Sequence, residues 1–347
     1  MNNLMLAADT AGYTMPQTWR ILSKAGYFIG LSGAIGATVG YAAAVRPALG
    51  SAERNGAGPD AAVLRSRSAA HVAWAGVVLL VTGYLVQNIV LLAAAAVMIA
   101  LFVPAVRRHT DRVVLAALPA ALAVTLVAAV PPIAPTAFDR WLDLVLDQVH
   151  IVSGAVWLGG LALLVALAGT RRGLGDGAGL LWAQLWQRFG LVAMVCVGAI
   201  TVSGLWLSWK HVGSVPQLWT TGYGIALLVK VLLVAGLVTA GAFNQFWLMP
   251  RITRARLADD TATLRDLTLG HFPKVVWGEV ALGLAVLLVL PFGAGSARTE
   301  AGSPKAVFSG SILAAGAALV VALAVSLYAT GKVSDLLARR PLPAVAV

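Results

Sequence analysis

Residues 143–165 read DLVLDQVHIVSGAVWLGGLALLV, and they give the clearest indication of the fold class. After His150 it contains no charged side chain, and the same apolar character continues to Ala168. An apolar run of about 20 residues is long enough to cross the hydrocarbon core of a bilayer as an α-helix. The stretch therefore predicts a membrane-spanning helix with a polar outer end.

The whole chain has the composition of a membrane protein. Of its 347 residues, 59% are hydrophobic and 11% are charged, whereas soluble domains contain about 25% charged residues. The 36 glycines fit this class, because membrane helices pack closely through small residues. The single cysteine, Cys196, excludes an intrachain disulfide. We therefore predict an all-α, polytopic transmembrane bundle surrounded by the lipid bilayer.

Nine apolar runs are long enough to be spans and are bounded by charged residues, Pro or Gly. They cover residues 18–45, 69–86, 88–103, 113–130, 147–168, 189–209, 223–249, 275–292 and 307–330. Residues 1–17 lack the Lys and Arg residues of a signal peptide and are predicted to form an exposed arm. Residues 18–130 would then be a leading four-helix half and 141–292 a second four-helix domain. Residues 307–330 add one helix, and 331–347 form a tail.

The basic residues predict the orientation of these spans. If the N-terminus is outside, eighteen of the 25 Lys and Arg residues lie in cytoplasmic segments and six on the opposite side. Basic residues are retained on the cytoplasmic side of a membrane. We therefore predict an outside N-terminus and a cytoplasmic C-terminus in the cytoplasmic membrane. This pattern also explains the net charge of +11 without a nucleic-acid partner.

Polar side chains follow one face of the helix that contains His150. Asp143, Asp147, His150, Gly154 and Trp157 are spaced 4, 3, 4 and 3 residues apart, which places them on one side of a helix. This stripe could gather a cation from the outer surface. Alternatively, the two aspartates are solvated carboxylates at a helix start, where the helix dipole favours them. His150 lies deeper, where an ionisable group is costly and is usually functional.

Two further ionisable residues fall inside predicted spans. Lys230 lies about 10 Å below the outer end of its helix, so its ammonium either snorkels to the surface or pairs with Asp147. Glu279 enters the apolar region from the cytoplasmic side. We expect it either to form a structural pair with Arg188 or Arg251 or to take part in transport.

Several short motifs are present between residues 141 and 292. They are His150 with Trp157 and Gly159-Gly160, then Arg188-Phe189 and Ser203-Gly204-Leu205, then Thr221, Tyr223, Gly224, Lys230 and Asn244, and finally Glu279. This set resembles the conserved four-helix domain of the CopD family of copper transport and copper resistance proteins. The resemblance implies movement of copper across the cytoplasmic membrane. It also implies an extracytoplasmic copper carrier protein as a partner.

Copper, if it is bound, needs ligands from several helices. Cuprous ion prefers Met and Cys and also accepts imidazole. The candidate ligands are His150, Asp147, Asp143, Met194 and Cys196. Met194 and Cys196 are two residues apart and point in different directions, and each alternatively packs in the apolar core. Structural or transport-coupled roles are expected for Trp157, Lys230, Asn244, Glu279 and Arg188.

Two other functions stay open at this point. The CopD fold is similar to that of the HemJ type of membrane protoporphyrinogen oxidase, in which His150 would be an axial ligand of haem b. The chain would then be an oxidoreductase. Alternatively, it is an accessory subunit without a ligand. Because the sequence contains no Walker motif, we expect transport without enzymatic activity, driven by the electrochemical gradient rather than by ATP.

Overall fold

The computed structural model describes residues 16–54, 58–85, 137–175 and 178–339, together with individual residues between 88 and 100. Within these ranges the elements are helical and no strand occurs. Among the described residues, seven helices are long and apolar enough to cross a membrane, namely α1 (Thr18–Arg54), α2 (Gly58–Leu85), α3 (Phe138–Ala168), α4 (Ala178–His211), α5 (Gly222–Leu257), α6 (Thr261–Phe292) and α7 (Gly310–Arg339). The prediction of an all-α, multi-pass membrane protein is confirmed.

Seven of the nine predicted spans correspond to α1 to α7. The run 113–130 lies outside the described residues, and so does much of the run 88–103. The same is true of residues 1–15 of the predicted arm and of the tail from residue 340. The total of nine spans, the orientation of the termini and the division into domains therefore stay predictions.

The helices are longer than the apolar runs that predicted them. For example, α2 begins at Gly58 rather than at residue 69, and α3 begins at Phe138 rather than at residue 147. The added turns of α2 include Arg65, whose guanidinium donates to the Glu53 carboxylate of α1 at 2.8 Å. An apolar run marks only the part of a helix inside the hydrocarbon, so polar end turns escape that criterion.

Three spans continue through a proline. Each contains a π-helical turn, at Tyr41–Val45, Asn244–Leu248 or Asp266–His271, and a proline follows two residues after each turn. Proline lacks an N–H group, and its ring crowds the carbonyl four residues earlier. A wider turn relieves this conflict without ending the helix. In α5 the wider turn begins at Asn244, one of the predicted site residues.

The Gly159-Gly160 pair fixes α3 between two neighbouring helices. A Cβ atom on Gly159 would lie 1.7 Å from the Ser32 carbonyl oxygen of α1, and one on Gly36 would lie 2.5 Å from the Gly159 Cα atom. On the other side, a Cβ atom on Gly160 would lie 2.2 Å from the ring of Phe189 in α4. The backbones of α1 and α3 therefore touch directly, and this contact holds the helix that carries His150.

Candidate metal site

A cluster of polar side chains lies between α3, α4 and α5, in the predicted outer half of the membrane. We call it the outer cluster, and its members are Asp143, Asp147, His150, Ser203, Lys210 and Lys230. It combines three of the predicted stripe residues of α3 with side chains of the two helices packed beside them.

His150 is at the centre of the outer cluster. Its Nδ1 atom is 3.0 Å from Ser203 Oγ, and its Nε2 atom is 3.5 Å from Lys230 Nζ. The Ser203 hydroxyl donates to the Ala199 carbonyl at 2.6 Å, so its oxygen is left to accept from the imidazole. This assigns the proton to Nδ1 and leaves the Nε2 lone pair facing the Lys230 ammonium. An imidazole held in this way presents Nε2 as a ligand atom.

The residue after Ser203 makes room for this imidazole. A Cβ atom on Gly204 would lie 3.3 Å from His150 Cε1, so even a methyl group would crowd the ring. Sequence reasoning noted Ser203-Gly204 only as a family-like motif and did not include either residue in the site. The motif itself was the available signal, because it combines a hydroxyl and a missing side chain at one point of a span.

The two aspartates of the outer cluster have different surroundings. Asp147 interacts electrostatically with Lys230 and with His211. The expected pairing of Lys230 with Asp147 is present as this charge interaction. Asp143 forms an ion pair with Lys210 and accepts a hydrogen bond from Trp206 Nε1 at 2.9 Å. A metal ion at Asp143 would therefore have to compete with a resident ammonium group.

A chamber of about 250 Å³ lies beyond Trp157, between α3, α4, α5, α6 and α7. We call it the inner chamber, and the lining residues that matter here are Trp157, Met194, Asn244, Met249 and Glu279. Trp157 follows His150 by seven residues, which is about 10 Å along a helix. Trp157 is buried and forms part of the chamber wall.

The polar groups of the chamber come from α5 and α6. Glu279 is 3% exposed, and its Oε1 atom accepts a hydrogen bond from Asn244 Nδ2 at 2.8 Å. The expectation of a Glu279 pair with Arg188 or Arg251 is corrected by this contact. Arg188 is exposed instead, and the Arg251 guanidinium lies 3.9 Å from the centre of the Trp247 ring. Among the described residues, Asn244 Oδ1 is buried without a hydrogen-bond partner.

The two predicted sulfur ligands are separated. Met194 lines the inner chamber, whereas Cys196 belongs to the buried hydrophobic core and is not among the chamber's lining residues. Sequence reasoning missed Met249, which lines the chamber from α5. In the part of the chain that the structure describes, no group of three or more His, Cys, Asp or Glu side chains could hold a metal ion. A metal here would need thioether or amide ligands as well.

The motif at the start of α5 caps the first turn of that helix. Thr221 Oγ1 accepts from the Gly224 N–H at 3.0 Å and donates to the Gln217 carbonyl at 2.7 Å. The Glu300 carboxylate accepts from the first two N–H groups of α5 at 2.7 and 2.9 Å. These contacts satisfy N–H groups that a helix start leaves free. They fix the part of α5 from which Lys230 projects.

Comparisons with known proteins agree with the motif analysis. Residues 183–292 match the family model CopD, described as "Copper resistance protein D". The "Copper transport protein CutJ" of Bacillus subtilis (strain 168) is 32% identical over 150 residues, which are 43% of this chain and 24% of that protein. The match thus spans about a quarter of the length of this curated relative. No solved structure matches the chain.

The matched segment runs from α4 to the end of α6 and includes Ser203, Lys230, Asn244 and Glu279. His150 precedes it on α3, which is joined to the segment by the Ser203 and Lys230 contacts. The resemblance of this multi-pass membrane protein to the CopD family is therefore confirmed, with α4 to α6 as the matching part.

Proposed function

We propose that this protein carries copper ions across the cytoplasmic membrane through the outer cluster and the inner chamber. One observation carries the proposal. His150 is half-buried within a span, and its Nε2 lone pair already faces a positive charge, the Lys230 ammonium at 3.5 Å. The position is therefore built for a cation. The match to the CopD family model and the similarity to a copper transport protein support copper as the cation.

Lys230 acts in this proposal as a resident cation that the metal replaces. A copper ion that reaches Nε2 must displace the ammonium, and Asp147 is the electrostatic partner toward which Lys230 moves. Ser203 keeps the imidazole in place during the exchange. The two positive charges cannot both face Nε2, because unit charges about 4 Å apart repel by about 4 kcal/mol at an effective dielectric constant of 20.

The membrane potential supplies the driving force. Moving one positive charge across the membrane is worth about 2.3 kcal/mol per 100 mV, which favours inward movement when the inside is negative. The copper comes from an extracytoplasmic carrier protein, enters at Asp143 and Asp147, and leaves past Trp157 through the inner chamber. The comparisons do not favour the haem alternative.

Copper flux into proteoliposomes tests this function. Purified protein is reconstituted, cuprous ion is supplied outside under reducing conditions, and internal copper is measured over time for the unchanged protein and for His150→Ala. We expect the flux through His150→Ala to fall at least tenfold. The control is His271→Ala, since His271 is exposed near the inner end of α6 and pairs with Asp266. An unchanged flux in His150→Ala would contradict the proposed path.

A further inference from the structure

The polar groups of the inner chamber are incompletely satisfied by the described part of the protein. Glu279 and Asn244 are both almost fully buried inside membrane spans. Asn244 uses its amide nitrogen on Glu279, and its Oδ1 atom has no hydrogen-bond partner among the described residues. Ionisable and polar groups at this depth are costly and usually face a ligand or a pathway. The chamber beside them is the space that such a ligand would fill.

The backbone of α5 is adapted at this point. The π-helical turn Asn244–Leu248 ends with a hydrogen bond from the Met249 N–H to the Asn244 carbonyl. Asn244 and Met249 are therefore joined across one turn, and both line the chamber. Turns of this kind occur often at functional sites, because they reposition side chains within a helix. Met194 lines the same chamber from α4.

The four side chains form a mixed donor set of two sulfur and two oxygen ligands. Met194 and Met249 provide two thioether sulfurs, which are soft ligands that select cuprous ion over the harder divalent ions. Asn244 provides a free carbonyl oxygen, and Glu279 provides a carboxylate. One carboxylate and one cuprous ion have no net charge together, which reduces the cost of placing the ion in an apolar environment.

We propose that the inner chamber is a second copper site, which binds one cuprous ion through Met194 and Met249 with Asn244 and Glu279 completing it. This second site rests on the proposed function, because copper reaches the chamber after it leaves His150. Cys196 takes no part, since it packs in the core two residues from Met194.

Copper stoichiometry of the purified full chain tests the second site. The protein is titrated with cuprous ion against a colorimetric cuprous chelator, and bound copper is then counted. We expect two equivalents for the unchanged protein, one for Met194→Leu/Met249→Leu and one for His150→Ala. Leucine keeps the volume and apolar character of methionine, so the double variant should fold. Cys196→Ala removes a nearby sulfur outside the chamber and should keep two equivalents.

Copper X-ray absorption of the same samples supplies a second measurement. Sulfur scattering should be present in the unchanged protein and in His150→Ala and absent in Met194→Leu/Met249→Leu. Glu279→Gln should weaken the sulfur-containing site at least tenfold and leave the other unaffected. Two equivalents with sulfur scattering in the double methionine variant would overturn the second site alone. Two equivalents in His150→Ala would instead overturn the His150 path, so the two failures are distinguishable.

Discussion

The outer cluster and the inner chamber lie on the same helices but satisfy their polar groups differently. In the outer cluster, Asp143 forms an ion pair with Lys210, and the imidazole of His150 faces Lys230. The carboxylate and the imidazole lone pair therefore each have a positively charged partner already. In the inner chamber, a buried carboxylate accepts a hydrogen bond from an amide, and the amide oxygen has no hydrogen-bond partner among the described residues. The first arrangement suits exchange of one cation for another, whereas the second suits binding of a new one.

Gly159→Ala should have the largest effect, because it separates the helices on which both regions depend. The new methyl group would lie 1.7 Å from the Ser32 carbonyl oxygen, and a backbone atom cannot rotate away. We expect a loss of more than about 3 kcal/mol of stability, or no folded protein. Size-exclusion chromatography after heating in detergent measures this loss.

Gly154→Ala is the matched control on the same helix, since a Cβ atom there meets nothing within 4 Å. It should behave like the unchanged protein. Equal stability of the Gly154 and Gly159 variants would show that the close contact of α1 and α3 does not hold the bundle.

Ser203→Ala should weaken copper binding at the outer cluster and leave the inner chamber unchanged. The variant leaves the His150 Nδ1–H group without its acceptor and releases the orientation of the ring. Loss of such a supporting partner typically costs about 10- to 100-fold in metal affinity. The affinity is best measured by chelator competition in the Met194→Leu/Met249→Leu background, where the outer site is isolated.

Thr201→Ala is the control for Ser203→Ala. The Thr201 hydroxyl lies on the same helix and donates to the Val197 carbonyl at 2.8 Å. We expect its copper affinity to match that of the double methionine background. A loss as large as that of Ser203→Ala would mean that any hydroxyl deletion in α4 disturbs the site.

Lys230→Gln should strengthen copper binding at His150, because the competing ammonium is removed. We expect an affinity about tenfold higher, which corresponds to about 1.4 kcal/mol. Lys230→Arg keeps the positive charge and should not show this gain. Weaker binding in Lys230→Gln would contradict the role of Lys230 as a resident cation and would favour a role in which it holds the ring in place.

Glu300→Ala should have the smallest effect, because Glu300 caps the start of α5 and is not part of the outer cluster. It removes the acceptor of two N–H groups at the start of α5. Loss of such a cap costs about 1 kcal/mol of stability, measured by thermal unfolding, while copper affinity should stay unchanged. Glu300→Gln retains an acceptor oxygen and should lose less. A large change in copper affinity would show that the cap belongs to the site.

More of the fold than of the site could be predicted from the sequence. Apolar length predicted seven spans that the structure describes, because crossing a bilayer demands it. The spacing of Asp143, His150 and Trp157 also predicted a common face. The partners on other helices could not be predicted, because periodicity gives no register between helices. Ser203 and Met249 were missed for this reason, and Glu279 was expected beside an arginine although Asn244 is its partner.

Copper handling at His150 is tested most directly by the metal content and absorption spectrum of one purified sample, with His150→Ala alongside. We expect bound copper without a Soret band, and less copper in His150→Ala. A Soret band that disappears in His150→Ala would contradict copper transport and assign His150 to haem. Equal copper in the two proteins would contradict the outer cluster as the entry site.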